Sequence, residues 1–506
     1  MRTTRLLTAA LAAAALLAGC DSKPADKKAT AAPAVTRQFG QIAFAPCSLT
    51  SPGAAAAIDA HCATFAVPEN RAAPNGRKIA LNLAWLPATD KGGATADPVL
   101  FLAGGPGQAA AQLAGTVAGP LRDVLKQRDV VFVDQRGTGK SNPLDCQDAT
   151  GKALTIADDA DASAVATFAA QCAQGLAGKA DPRFYTTGEA IADLDAIRAA
   201  LGAEQVNLIG VSYGTRVAQQ YAARYPAHTR AIVLDGVAPN DLVVGGEFAR
   251  TFERALRLQV QQCQALPSCK ARFPTDLRAQ LRTLKTRLET APVEVEYRDP
   301  ATGASKRDTL NADTVVGLTH LFSYMPQMAA LLPLVLDEAE HGRYASLMSL
   351  AQMMNQEVGE QMTRGMQWSV ICAEDADRYR ADPADADTVL GSAMGDAFFA
   401  ACKSWPTGTR AKNFTTPLQS PVPALLVSGE IDPVTPPAYG ERVLKGLPKG
   451  RHLVLDGQGH NVLGVGCMPK LVGQFIEAAD AKALDTKCLD AIGYVPPFTT
   501  FNGWEP

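Results

Sequence analysis

A chain of 506 residues is long enough for one large domain with an insertion, or for two or three domains. Its composition, 47% hydrophobic and 20% charged, is that of an ordinary globular protein. A formal net charge of −3, with no Lys/Arg cluster to offset it, argues against nucleic acid as a partner.

Residues 1–19 read as a targeting segment rather than as part of the fold. Arg2 and Arg5 supply a positive start, and Leu6 to Leu17 is apolar but too short to span a bilayer. Leu17-Ala18-Gly19-Cys20 resembles a bacterial lipobox, which implies cleavage before Cys20 and lipid on its sulfur and its new amino group. An ordinary secretory signal cleaved nearby is the alternative. Residues 20–36 read as a flexible tether. The expectation is a lipid-anchored protein of the bacterial cell envelope, outside the cytoplasm, that meets a membrane through the N-terminal lipid only.

Ile79 to Leu86 alternates apolar and polar residues, as a half-buried strand does. Pro98 to Leu102 is a fully apolar strand that runs into Ala103-Gly104-Gly105-Pro106-Gly107, and Asp129 to Val133 is another that runs into Asp134. Thr187 to Leu201 predicts a helix, capped by Thr187, with Ile191, Leu194 and Ile197 on one face. Gln205 to Ile209 is a buried strand, Arg216 to Tyr225 a helix stopped by Pro226, and Ala231 to Leu234 a further strand. From about Pro239 to Gly365 the strand signal stops, apart from a small strand at Val293 to Tyr297. Phe248 to Ala265, Leu277 to Leu288 and Met325 to Met353 read as helices, the last broken by Pro333. Strands return at Ala424 to Val427 and His452 to Leu455, before a last helix at Lys470 to Ala478. Strands alternating with helices imply a mostly parallel central sheet with helices on both faces, and the helical block implies an inserted cap. The domain reading is 37–240 for the first part of an α/β core, 241–365 for the cap, and 366–506 for the second part with its C-terminal helix and tail.

Eleven cysteines less Cys20 leave an even ten. Their order suggests neighbouring disulfides: Cys47 with Cys62, Cys146 with Cys172, Cys263 with Cys269, Cys372 with Cys402, and Cys467 with Cys488. Sequence order does not fix connectivity, but such bonds suit an oxidising compartment. No C-x-x-C and no Cys/His grouping has zinc-ligand spacing, so no metal is inferred.

Gly210-Val211-Ser212-Tyr213-Gly214 fits G-x-S-x-G between a predicted strand and a predicted helix, the context a nucleophile elbow needs. A serine hydroxyl needs a base in reach and a third group to orient that base. Of the six histidines, His61 lies before the predicted sheet, His228 follows the elbow helix, His320 and His341 fall in the cap, and His452 starts a strand. Only His460 stands in a short loop just past a late strand. Asp432, past the strand at 424–427 in a proline-stiffened loop, is the leading acid; Asp235, Glu430 and Asp456 compete with it. The oxyanion donors are expected from the Tyr213 N–H and from the Ala103–Gly107 turn, with Gly105 the candidate there. Gly139-Lys140-Ser141 fails as a phosphate loop because Asp134 stands where glycine is needed, and Gly457-x-Gly459 lacks a third glycine, so no nucleotide cofactor is inferred.

Taken together these stretches resemble the α/β-hydrolase fold and, within it, the proline iminopeptidase and tripeptidyl aminopeptidase group of serine peptidases. The resemblance rests on Gly104-Gly105-Pro106-Gly107, Asp134 to Ser141, Gly210 to Gly214, Asp432-Pro433-Val434-Thr435-Pro436 and Gly459-His460-Asn461. It departs at Ala103, where proline iminopeptidases often carry histidine. It implies a Ser212, Asp432, His460 triad, a cap that restricts access, and release of short units (one residue or three) from peptides with a free N-terminus. Glu374, in a stretch that resembles a Cys-x-Glu/Asp motif of this group, is the expected partner of the substrate amine. A carboxylesterase or lipase with the same triad, and a non-catalytic envelope binding protein, are the competing functions.

Overall fold

The computed structural model describes residues 35–503, apart from 52–55, 91, 93–94, 149 and 155–161. The expected signal segment, Cys20 and nearly all of the tether lie outside the described residues. The strands are β1 (Arg37–Phe39), β2 (Ile42–Leu49), β3 (Ile58–Pro68), β4 (Lys78–Leu86), β5 (Val99–Leu102), β6 (Val130–Val133), β7 (Val206–Val211), β8 (Thr229–Asp235), β9 (Val293–Arg298), β10 (Ser305–Leu310), β11 (Ala424–Gly429) and β12 (Gly450–Leu455). Among the described residues, all but β9 and β10 form one sheet in the order β1-β2-β3-β4-β6-β5-β7-β8-β11-β12. Every pair from β6 to β12 is parallel, and β1 to β4 add an antiparallel flank that joins at β4–β6. This is the α/β-hydrolase arrangement expected from the sequence.

The parallel strands are central because their side chains are apolar on both faces: β5, β6, β7 and β11 are buried at every position. One face is covered by α2 (Ala162–Gly175), α3 (Thr187–Ala200) and α4 (Tyr213–Arg224), the other by α1 (Ala110–Val117) and the helix before the C-terminal tail. The sheet starts earlier than expected, and His61 lies inside it, on β3, rather than before it. β2 and β3 are mostly accessible and lack the clean alternation that marks a half-buried strand. Their pairing is stapled by Cys47–Cys62. The other four disulfides also join the neighbours that sequence order suggested.

The insertion carries α5 (Phe248–Ala265), α6 (Pro267–Arg272), α7 (Leu277–Thr290), the β9–β10 hairpin, α8 (Ala312–Phe322), α9 (Pro326–Ala329), α10 (Leu332–Glu340) and α11 (Ala345–Gln361). It has its own apolar core, built around Phe252, Leu284, Val315, Phe322 and Leu336. Pro333 does not break a helix there; it stands in the first turn of α10, where a missing N–H costs nothing. β10 escapes a periodicity reading because five of its six residues are exposed. α12 (Arg364–Glu374) then leaves the cap and buries Met366, Trp368 and Ile371 in the core under the sheet. α13 (Ala393–Ala400), α14 (Pro437–Leu444) and α15 (Met468–Ala478) complete the chain. Val389 and Leu390 reach back into the cap core, so the stretch beyond 365 serves both cores.

Candidate active site

Ser212 ends β7 and opens α4. Its backbone takes φ +54° and ψ −124°, a conformation that costs a non-glycine residue ~1–3 kcal/mol. The surrounding glycines make the turn possible. A Cβ on Gly210 would strike the Gly214 carbonyl, and one on Gly214 would strike the Leu102 and Ala103 carbonyls. The Ser212 N–H donates to the Asp235 carbonyl at 2.8 Å, and the Ser212 carbonyl accepts from the Thr215 N–H and hydroxyl. The strain is therefore held by neighbours on both sides.

β7, β8, β11 and β12 are consecutive parallel neighbours, so their C-terminal ends share one edge of the sheet. Ser212 follows the first, Gly236 the second, Asp432 the third and His460 the fourth. The His460 ring lies against Gly236, where a Cβ would fall 2.9 Å from Cε1. Asp432 Oδ2 sits 2.7 Å from His460 Nδ1. Its Oδ1 accepts the Val434 and Thr435 N–H groups at 2.8 Å each, and the Thr435 hydroxyl donates to Oδ2 at 2.7 Å. Asp432 is fully buried. Burial pushes its carboxyl up, but the His460 ring and these N–H donors outweigh that and hold it below the usual carboxylate range. Burial lowers the imidazole of His460, and the charges of Asp432 and Asp235 more than reverse it, so His460 titrates above its ordinary value.

On the other side of Ser212 the Gly104-Gly105 turn packs directly on the serine. A Cβ on Gly104 would lie 3.0 Å from Ser212 Cβ, and Gly105 has φ +106°, open to glycine. Tyr213, the other expected donor, is the first residue of α4, where helical N–H groups have no i−4 acceptor. The structure thus brings Ser212, Asp432, His460, Gly105 and Tyr213 to one place. Within the Asp134 to Ser141 motif, Asp134 accepts the Ala111 N–H at the start of α1, buried Arg136 pairs with Asp193, and Gln135 donates to the Tyr213 hydroxyl at 3.2 Å.

Of the competing carboxylates, only Asp432 is seen hydrogen-bonded to the His460 ring among the described residues. Asp235 is fully buried and accepts the Val462 and Leu463 N–H groups at 2.9 to 3.0 Å, holding the loop that carries His460. Burial pushes its carboxyl up to about 6 against those donors. Glu430 accepts the Gly457 N–H at 3.0 Å, at the start of the same loop. Sequence reasoning missed Thr435, although an Asp with a hydroxyl residue three positions on is a turn signal. It also missed the contacts that the expected cap makes with the site. The His460 N–H donates to the Tyr324 carbonyl at 2.8 Å, and the Tyr324 ring meets the His460 ring edge to face at 5.2 Å. The Thr363 N–H donates to the Gly107 carbonyl at 3.0 Å. Nothing in the local sequence of the cap marks either contact.

Glu374 does not stand open to a substrate amine. It is fully buried, with Oε1 accepting the Thr187 N–H at 2.7 Å and Oε2 the Thr187 hydroxyl at 2.9 Å. Thr187 is likewise not the cap of α3; Thr186 holds that position, and Glu374 supplies the acceptor from 187 residues away. The carboxylate is spent on the first turn of a helix, where the N–H groups and the helix dipole favour it.

Residues 97–297 match the family described as alpha/beta hydrolase fold, and residues 387–488 the family described as TAP-like protein. Serine protease Hip1 of Mycobacterium tuberculosis is 28% identical over 96% of this chain and 97% of its own length. Tripeptidyl aminopeptidase of Streptomyces lividans is 32% identical over 35% of each chain. Among solved structures, a proline iminopeptidase of Mycobacterium smegmatis aligns at 17% identity and a TM-score of 0.38, covering 83% of this chain and 100% of that one.

Proposed function

We propose that this serine peptidase of the α/β-hydrolase fold removes short units from the free N-termini of peptides, through an acyl-enzyme on Ser212. The observation that carries the reading is the strained turn at Ser212 on the same sheet edge as the buried Asp432–His460 pair. His460, held by Asp432 at Nδ1, takes the Ser212 proton as the hydroxyl attacks the scissile carbonyl. The charge that develops on the carbonyl oxygen meets the Tyr213 and Gly105 N–H groups. The imidazolium then protonates the leaving amine, and water, deprotonated by His460, frees the N-terminal unit as its carboxylate.

The peptide class comes from the named relatives, and the exopeptidase mode from the tripeptidyl aminopeptidase and from the proline iminopeptidase of Neisseria gonorrhoeae, 28% identical over 28% of this chain. With Glu374 occupied, the substrate amine must find another partner. The test is a panel of chromogenic peptides of one to three residues, free or acetylated at the N-terminus, beside a matched ester. Turnover of the free peptides, with the acetylated ones refused, supports the reading. Cleavage of the ester alone overturns the peptidase step in favour of an esterase.

The same reading places the enzyme in the bacterial envelope, tethered by lipid at Cys20. Wild-type protein is then expected in membrane fractions and a Cys20→Ala variant in the soluble envelope fraction. Equal distribution of the two removes the anchor.

A further inference from the structure

Glu374 is bound into a chain of hydrogen bonds that ends on the residue after the nucleophile. Thr187 Oγ1 lies 2.9 Å from Glu374 Oε2 and 2.5 Å from the Tyr213 hydroxyl. Gln135 Nε2 donates to that same hydroxyl at 3.2 Å. An ionised carboxylate only accepts, so the Thr187 proton points to Glu374. The Thr187 oxygen must then accept from Tyr213, and the Tyr213 oxygen from Gln135. Every hydrogen in the chain has one direction, set by the charge at its far end. Thr187, Tyr213 and Glu374 are all buried, so water does not compete for these groups.

We propose that Glu374 is a positioning residue for the oxyanion donor: through Thr187 it fixes the Tyr213 side chain, and with it the Tyr213 N–H beside Ser212. α12 is built for this. Its last residue is Glu374, tied through Thr187 to Tyr213. Before its first residue stands Thr363, whose N–H holds the Gly107 carbonyl on the opposite arm of the same hole. One helix of 11 residues thus grips both arms. Cys372, two positions before Glu374, is bonded to Cys402 and holds that end in place.

Protonation of Glu374 undoes the chain. A carboxylic acid donates at Oε2, so Thr187 accepts there, its own proton is free to turn toward Tyr213, and the chain no longer has one direction. Burial and the neighbouring Asp375 raise the Glu374 carboxyl to about 7, opposed by Arg216 and by the Thr187 donors. The charged and titratable groups that face it are Arg216 and Tyr213 from α4, Asp375 from α12, and Arg410 from the segment before β11. Arg378 lies on the Glu374 carbonyl at 3.3 Å. Positioning is thus at its midpoint near pH 7, complete well above it and lost well below it.

The inference rests on Ser212 as the nucleophile and not on the peptide specificity, so it is tested on an ester and a free-amine peptide in parallel. Glu374→Gln, which copies the protonated acid, should lower kcat about tenfold on both substrates and leave KM within about twofold, because oxyanion contacts act in the transition state. Tyr213→Phe should do the same, and the double variant should be no worse than either single one. The acid limb of wild-type log kcat should be steeper than one proton over part of its fall, reaching a slope of about 1.5, because protonation of Glu374 adds a step of about tenfold to the His460 limb; that of Glu374→Gln should fall with a slope of one. If Glu374→Gln does not fold, Tyr213→Phe carries the test alone. An unchanged kcat, additive losses, or a rise in KM confined to the peptide would overturn the proposal. Ester turnover without peptide turnover in the wild type would instead count against the proposed function.

Discussion

The two sides of Ser212 are held by different chemistry. On the base side, Asp432 is surrounded by backbone N–H donors and the His460 ring, and its carboxyl is held below the usual carboxylate range. On the oxyanion side, Glu374 is equally buried but meets one N–H and one hydroxyl, beside the like charge of Asp375, and its carboxyl rises to about 7. Both carboxylates lie beyond the reach of solvent, so burial alone does not decide their charge. The number and kind of donors does. Asp432 stays ionised through the neutral range, while Glu374 sits near its midpoint there.

The comparison breaks first at the nucleophile and base. Ser212→Ala and His460→Ala should each cost at least about 10³ in kcat with the fold intact by circular dichroism, since each removes a partner the other needs. Activity beyond a trace in either would contradict the assignment. Asp432→Asn should cost up to about 10⁴, because the amide cannot hold the imidazole in the needed tautomer and orientation. Asp235→Asn separates an acid from a loop anchor. It leaves one oxygen for the Val462 and Leu463 N–H groups, and a charged hydrogen bond is worth about 1.5–3 kcal/mol, so a loss of order tenfold to a hundredfold is expected. A loss as deep as that of Asp432→Asn would make Asp235 the acid.

The pH profile sharpens the contrast. His460 must be neutral to accept the serine proton, and its value is raised, so kcat/KM should fall as pH drops through a point above about 6.5. An acid limb centred below that value would show that Asp432 and Asp235 do not act on the ring as described. The smallest effect should come from the cap. Thr363→Pro removes the N–H that reaches Gly107 while keeping a backbone proline accepts, with φ −80° at that position. One such bond is worth ~1 kcal/mol, so kcat/KM should fall about fivefold with KM little changed. No change would mean that the Gly107 turn holds its shape without the cap.

How much of this was legible depends on where the partners lie in the sequence. β5, β7, β8, β11 and β12 are apolar runs that each deliver a polar residue or a glycine-rich turn at the C-terminal end, so fold and triad follow from local pattern. β2 and β3 carry no such pattern because most of their residues remain accessible. β10 and α8 lie in the cap, where neither the reading of the chain nor the two matched families reaches far: the matches stop at 297 and resume at 387. Glu374 is singled out by its likeness to a Cys-x-Glu/Asp motif and by the need for a carboxylate to meet the substrate amine, but the structure gives it another partner. Its partner is a backbone N–H 187 residues earlier, and no spacing rule links them. The hydrogen bonds of Tyr324 and Thr363 run through main-chain atoms, which leave no mark on residue type.

Everything turns on one reactive alcohol, and a fluorophosphonate probe followed by peptide mass mapping reports it directly. The wild type should be labelled at Ser212 alone, His460→Ala far more slowly, and Ser212→Ala not at all. Label on another residue, or labelling of Ser212→Ala at the wild-type rate, would contradict the account.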